Sequence, residues 1–321
     1  MNPGNRRAIF AALLANSGIA VLKFAGWTFT GATSLLAEAV HSVADTVNQA
    51  LLLWGNTAAQ RAPTPNHAFG YGRERYFWAF VVSLVIFTLG GLFALYEGVA
   101  KLISPHPLNE PIWAVGILLV GIVFEGLSLR TAVQEARRSK LQESWWSYIR
   151  RTKNPELPVI LLEDLGALVG LSFALAGVSL SIWTDTPRYD ALGSIGIGIL
   201  LVGIAGLLAR EMKSLLIGES ATPEDEALIR SVAVRHPSVH QLIHLRTQHI
   251  GPDEVLIGAK IEFDGRLDFR EISAVIDALE ESIREALPFS ALIYIEPAVS
   301  EYRPRDPGTE SEPQNRENDA G

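Results

Sequence analysis

The sequence predicts an all-α membrane domain, a bundle of six transmembrane helices, followed by a small cytoplasmic α+β domain of ferredoxin-like order (α-β-β-α-β). Three observations predict it. Six apolar runs between residues 8 and 208 are each long enough for the ~20 residues that ~30 Å of hydrocarbon requires. Lys and Arg fall almost wholly on one side of those runs. Beyond about residue 215 the pattern changes to short helical and strand periods. The composition agrees: 48% of the 321 residues are hydrophobic and the mean hydropathy is +0.21, high for a soluble chain and low for a purely membrane one. The expected division is a six-span membrane domain over residues 1–215, a small α+β domain over 216–302, and a disordered tail over 303–321, rich in Pro, Glu, Asp, Asn and Gly.

The first span runs from Ala8 to about Thr30, behind Arg6 and Arg7. It is too long for the h-region of a signal peptide. It carries Asn16, expected to bond a neighbouring helix, and Lys23, expected to snorkel to a membrane face. The uncharged turn Thr30–Thr33 leads into the second span, which reaches about Gln60. Phe77–Ile103 is the third, Trp113 to about Gln134 the fourth, Leu157 to about Trp183 the fifth and Ala191–Leu208 the sixth. Between the fourth and fifth, the basic stretch 135–156 interleaves Trp145, Trp146 and Tyr148 and reads as an element on the lipid surface.

With the N-terminus inside, the inner segments carry thirteen Lys and Arg and the outer loops carry two, Lys101 and Arg188. This bias places both termini in the cytoplasm. The soluble part opens with a helix at Pro223, acidic in its first turn. Two strands follow over Val239–His249 and Val255–Phe263, then a helix over Phe269–Leu287 and a last strand over Ala291–Ile295. About 80 residues bury a modest core, which favours a dimer.

The chain has no cysteine and two methionines, which excludes disulfides and thiolate sites and disfavours Cu(I). The net charge of −8 lies mostly in the C-terminal third, and nothing in the pattern suggests nucleic acid.

The chemistry is concentrated in residues 34–49, SLLAEAVHSVADTVNQ. His41 and Asp45 are four apart, about 40° from each other around a helix. Glu38 and Asn48 lie three residues to either side, on nearly the same face. An Asp at the centre of a membrane helix costs roughly 2.5–3.5 kcal/mol, so such a stripe must face protein, water or an ion. A His–carboxylate pair one turn apart is much of a divalent metal site. Glu163 and Asp164, about two turns into the fifth span, offer carboxylates at depth. Adjacent residues point about 100° apart, so one of the two completes a site with His41 and Asp45. Glu38 and Asn48 then support it. A purely structural hydrogen-bond cluster would explain one intramembrane acid, but not a His and three acids on two spans.

These residues, the six spans, the basic inner loops and the small terminal domain resemble the cation diffusion facilitator family. VILLEDLGALVG, YDALGSIGIG, LRTQHIGPDEVLIGAKI and IYIEP look like the branch that contains human zinc transporter 9. The resemblance covers roughly residues 8–299. It implies a homodimeric exporter of divalent transition metal driven by proton exchange, with no enzymatic activity and no cofactor beyond the cargo. The family's usual site has a His or Asp and an Asp four apart on the second span, matched by His41 and Asp45, and a similar pair on the fifth. Here the second pair is incomplete. Glu163 in the first position puts Ala167 in the second, and Asp164 in the second puts Ile160 in the first. Three protein ligands remain, with water or Asn48 as a fourth. Mixed nitrogen and oxygen ligation suits Zn2+ best, with Mn2+, Fe2+ and Co2+ open. The family's terminal domain often binds further metal. Of His236, His240, His244 and His249, only His240 and His244 are spaced to cooperate, and Tyr294 and Glu296 stand where the family often has His.

Two other classes compete. A membrane metal sensor or partner-binding protein that does not transport fits the missing ligand. An intramembrane hydrolase fits an open ligand position, although no HExxH is present. The short amino-terminal segment, with no long Arg/Ser-rich presequence, leads to the expectation of a bacterial-type plasma membrane.

Overall fold

The computed structural model describes residues 3–139 and 144–298. The expected tail at 303–321 and Lys140 lie outside the described residues, as do the side chains of Arg6, Arg7 and Arg138. The chain divides into two compact units, one of residues 1–222 with 248–255 and one of 223–247 with the residues from 256 on.

The first unit is helical. α1 (Pro3–Thr30) and α2 (Thr33–Ala59) are joined at Gly31, whose φ of 65° is a conformation that glycine adopts without a Cβ clash. The third span is one continuous helix of changing pitch: α3 (Glu74–Val85), a π-helical stretch (Ile86–Leu92) and α4 (Phe93–Ile103). α5 (Pro111–Ser139) begins on a proline, whose missing N–H costs nothing in the first turn. α6 (Trp145–Arg151) is a short helix in the basic aromatic stretch, capped by the Ser144 hydroxyl accepting from Ser147 N at 3.1 Å. α7 (Glu156–Thr184) stops at Asp185 in the left-handed conformation, and α8 (Arg188–Ile217) follows at once.

Among the described residues, four helices satisfy both length and apolarity for crossing a membrane: Glu74–Ile103, Pro111–Arg137, Glu156–Thr184 and Arg188–Ile217. α1 and α2, at 28 and 27 residues, are long enough to span at 1.5 Å per residue. The core includes Leu35, Tyr76, Ile86, Leu118, Leu171, Ile197 and Leu201. Glycines let the third span approach α8 closely: a Cβ at Gly98 would stand 2.9 Å from Ala191 O, and one at Gly198 2.8 Å from Leu95 N.

The second unit contains α9 (Pro223–Arg235) and α10 (Phe269–Ala286), with most of strands β1 (Val239–Gly251) and β2 (Glu254–Phe263) and all of β3 (Ser290–Ala298), in the order β1-β2-β3. Ile257, Ala259, Ile261 and Phe263 alternate into the core with period two, and Leu279 and Ile283 bury one stripe of α10. Asp268 and Glu271 form a reciprocal capping box at the start of α10.

Candidate functional site

The stripe on α2 is real and fully internal: Glu38, His41, Asp45 and Asn48 are all buried. His41 Nδ1 lies 3.5 Å from Asp45 Oδ1, the one-turn pairing that the spacing predicts. α7 crosses here and supplies Glu163, also buried. Glu163 Oε1 accepts from Asn48 Nδ2 at 2.9 Å. A third wall is the π-helical stretch, where a Cβ added at Gly90 would stand 3.7 Å from His41 Nδ1.

The group is left underbonded. Neither ring nitrogen of His41 has a hydrogen-bond partner, and Asp45 Oδ1 and Asn48 Oδ1 have none either. Buried polar atoms are nearly always satisfied, so several orphans on one small patch call for a ligand that supplies the missing bonds. Imidazole nitrogen and carboxylate oxygen are donors for a divalent cation. As they stand, no three His, Asp or Glu side chains among the described residues are drawn together tightly enough to close on one ion.

A cavity of about 260 Å³ leads to the group, lined by Gln49, Leu52, Leu53 and Asn56 of α2, Ser128 of α5, and Glu156, Ile160, Glu163 and Asp164 of α7. It lies toward the C-terminal end of α2 and the N-terminal end of α7.

The structure separates the two adjacent acids of α7. Glu163 turns to α2, where it accepts from Asn48, whereas Asp164, half-buried, accepts from Ser128 Oγ of α5 at 2.9 Å. Glu38 does not join them: its Oε2 takes a hydrogen bond from Lys23 Nζ at 3.2 Å. Lys23 is therefore not at a membrane face, as expected above, but 1% exposed and turned into the bundle. Apolar neighbours in sequence conceal which side of α1 meets α2, and a lysine near a helix end reads the same in either orientation.

The sequence reading also missed the roles of Lys101 and Asp190. Asp190, in the first turn of α8, caps α2, accepting from Thr33 N at 2.7 Å, Ser34 N at 3.2 Å and the Ser34 hydroxyl, and pairs with Lys101 Nζ at 2.7 Å. A contact across 156 residues leaves no local signal. The π-helical stretch had one faint cue, Gly90–Gly91 inside an apolar run. In the small domain, His240 is exposed and His244 half-buried on β1, and His249 is buried with Nδ1 3.2 Å from Gly251 O.

Comparison with known proteins assigns both parts of the chain. Residues 9–217 match the cation efflux transmembrane domain and residues 221–298 match the cation efflux protein cytoplasmic domain. The human proton-coupled zinc antiporter SLC30A9, mitochondrial, is 33% identical over 266 residues, covering 82% of this chain and 47% of that protein. Metal tolerance protein C4 of Arabidopsis thaliana is 32% identical over 82% of this chain and 58% of its own length. The cation-efflux pump FieF of Pectobacterium atrosepticum is 26% identical over 94% of this chain and 96% of its own. The chain spans about half the length of the SLC30A9 relatives.

These relatives correct one expectation. A bacterial-type plasma membrane is not supported, because the SLC30A9 proteins of Xenopus laevis and human are mitochondrial by name. The physical reason is that a positive-inside bias fixes orientation across a membrane and says nothing about which membrane it is. The family, by contrast, follows from both domain matches and from the relatives: the chain belongs to the cation efflux, or cation diffusion facilitator, family.

Proposed function

We propose that the protein exports a divalent transition-metal cation, zinc foremost, in exchange for protons, and that His41, Asp45 and Glu163 hold the ion. The observation that carries this reading is His41, buried with both nitrogens unpartnered beside Asp45 and against the helix that bears Glu163. Asn48 steadies Glu163 through its amide and keeps a free oxygen toward the group. The names of the SLC30A9 relatives point the same way.

The ion enters through the cavity beside Glu163. Binding needs a neutral imidazole and ionised carboxylates, so it expels protons, and affinity falls as pH falls. Rocking of the helices then exposes the same group to the other side, where protonation releases the metal. The second unit serves as the dimer contact: Phe269 and Tyr294 are 85% and 60% exposed, large apolar surface that a second copy would cover. We take residues 1–215 as the transport domain and 216–302 as the dimerisation domain.

The test is metal flux into proteoliposomes loaded with a pH-sensitive dye, with Zn2+ and Mn2+ offered separately. Zinc entry with opposite proton movement is expected, lost in Asp45→Ala protein that still elutes as a folded dimer. Full flux in that variant would overturn the site. Absence of flux from protein that binds zinc would favour the sensor reading.

A further inference from the structure

The cavity that leads to the ion-holding group ends at a carboxylate that is already paired. Glu156 is the first residue of α7, about two turns before Glu163 and on the same face of that helix. Both line the cavity, but the Glu156 side chain is 26% exposed and Glu163 is buried, so the two acids mark its open and closed ends. Arg75, in the first turn of α3, donates from Nε to Glu156 Oε1 at 3.0 Å and from Nη1 to Asp253 Oδ2 at 2.8 Å. One guanidinium thus bridges the mouth of the cavity and the turn between β1 and β2. Backbone packing fixes that turn. A Cβ at Gly72 would stand 2.7 Å from Ile250 O, so the chain entering α3 meets the end of β1 with no room for a side chain. His249 N donates to Glu219 O, just past α8, at 2.8 Å. Residues 248–255 accordingly belong to the first unit, although the rest of both strands lies in the second.

A carboxylate at the mouth of a cleft draws a cation in, and a cationic group there repels it. Paired with Arg75, Glu156 presents little net charge to an approaching dication; bared, it presents a full negative charge. Asp253, 84% exposed, holds the other edge of the guanidinium and stands off the cavity lining. We propose that Arg75 is a positioning residue that controls loading of the divalent cation: its guanidinium is shared between Glu156 and Asp253, and the share that Asp253 takes sets how much of the Glu156 carboxylate meets the incoming ion. Anything that moves the β1–β2 turn moves Asp253, and so changes loading without touching His41, Asp45 or Glu163. This deepens the transport reading above and rests on it.

The test is the concentration dependence of Zn2+ flux into proteoliposomes holding the full-length protein, read as KM and kcat separately. Glu156→Gln is expected to raise KM by about threefold or more, the scale of one unit charge acting on a dication across a wet cavity. Asp253→Ala, which leaves the guanidinium to close its fork on Glu156, is expected to raise KM as well. Arg75→Met, which bares Glu156, is expected to lower it by about threefold or more. The deciding variant is Arg75→Met with Asp253→Ala. Asp253 acts through Arg75, so the KM of the double variant should match that of Arg75→Met alone. Effects that add in the double variant overturn the proposal, because bare surface charge would do that. So does a rise in KM in both Arg75→Met and Asp253→Ala, which a purely structural bridge would give, or a change confined to kcat. Unchanged KM in Glu156→Gln or Asp253→Ala overturns it too. If Arg75→Met protein does not fold, Arg75→Gln takes its place on the same terms. Absence of flux from the unaltered protein, or flux that survives Asp45→Ala, overturns the transport reading and this one with it; Asp45-dependent flux with a KM indifferent to Arg75 overturns this one alone.

Discussion

Lys101 and Asp190 form an ion pair 2.7 Å long with both side chains buried, and together they tie three helix ends into one clasp. Asp190 caps α2 from α8, and Lys101, at the end of α4, also donates to Gly31 O at 3.0 Å in the α1–α2 turn. Residue 32, the cap position of α2 itself, is alanine and offers no side-chain acceptor, so the carboxylate from α8 does that work. Removing Asp190 leaves an ammonium and two N–H groups without their partner. Asp190→Ala is expected to cost about 3–5 kcal/mol, the range for breaking a buried pair from one side. Thermal unfolding in detergent reads the loss, and an unchanged midpoint would show the clasp to be incidental.

Glu163 and Asp164 are adjacent and should behave differently. Glu163→Gln is expected to weaken zinc binding by more than about 100-fold, beyond what loss of a ligand's partner does. Asp164→Asn keeps the bond with Ser128 and should leave binding within about threefold, well below that range. Zinc titration of both variants checks the assignment, and equal losses would refute it.

Asn48 touches Glu163 without being counted among the three ligands. Asn48→Ala should lower zinc affinity by about 10–100-fold while the fold stays intact. The same titration, paired with a melting curve, separates this effect from loss of structure.

Glu219, just past α8, supplies a pH dependence. Partial burial works to raise its carboxyl, but hydrogen bonds from Lys153 and Ser214 outweigh this, so it sits below its ordinary value of 4.5. A depressed carboxyl contributes stability above its unfolded value and loses it as pH falls through the folded one. The unaltered protein should therefore out-melt Lys153→Met at neutral pH, and the gap should close below about pH 4. Melting temperatures across that window are the measurement.

In the small domain, Asp268→Ala removes the cap of α10 and half of its capping box. A loss of about 0.5–2 kcal/mol is expected. Denaturant titration followed by circular dichroism would show it.

Much of this was legible in the sequence because the signals are local. Helix ends fell within a few residues of Pro111, Pro223 and Asp268, which act on their own turn. The α2 stripe was legible because positions 38, 41, 45 and 48 step by a helical turn whatever packs against them. What stayed hidden depends on which helix faces which. Glu163 and Asp164 differ by about 100° of rotation, and only the placement of α7 against α2 distinguishes them. Lys23 and Asp190 find their partners 15 and 157 residues away, and periodicity carries no information about such pairings.

The π-helical stretch Ile86–Leu92 sets the phase between the two halves of its span. Its wider turns absorb about one residue more than an α-helix would, worth about 100° of rotation. The half before it includes Tyr76 and Ser83, and the half after it carries Lys101 in its last turn. Wound as a regular α-helix, the same residues would swing Lys101 away from Asp190 and shift the glycine that lies against His41. The clasp at one end of the bundle and the wall of the ion-holding group at its middle are thus read from a single screw. A change in its winding is felt at both places, although no side chain runs between them.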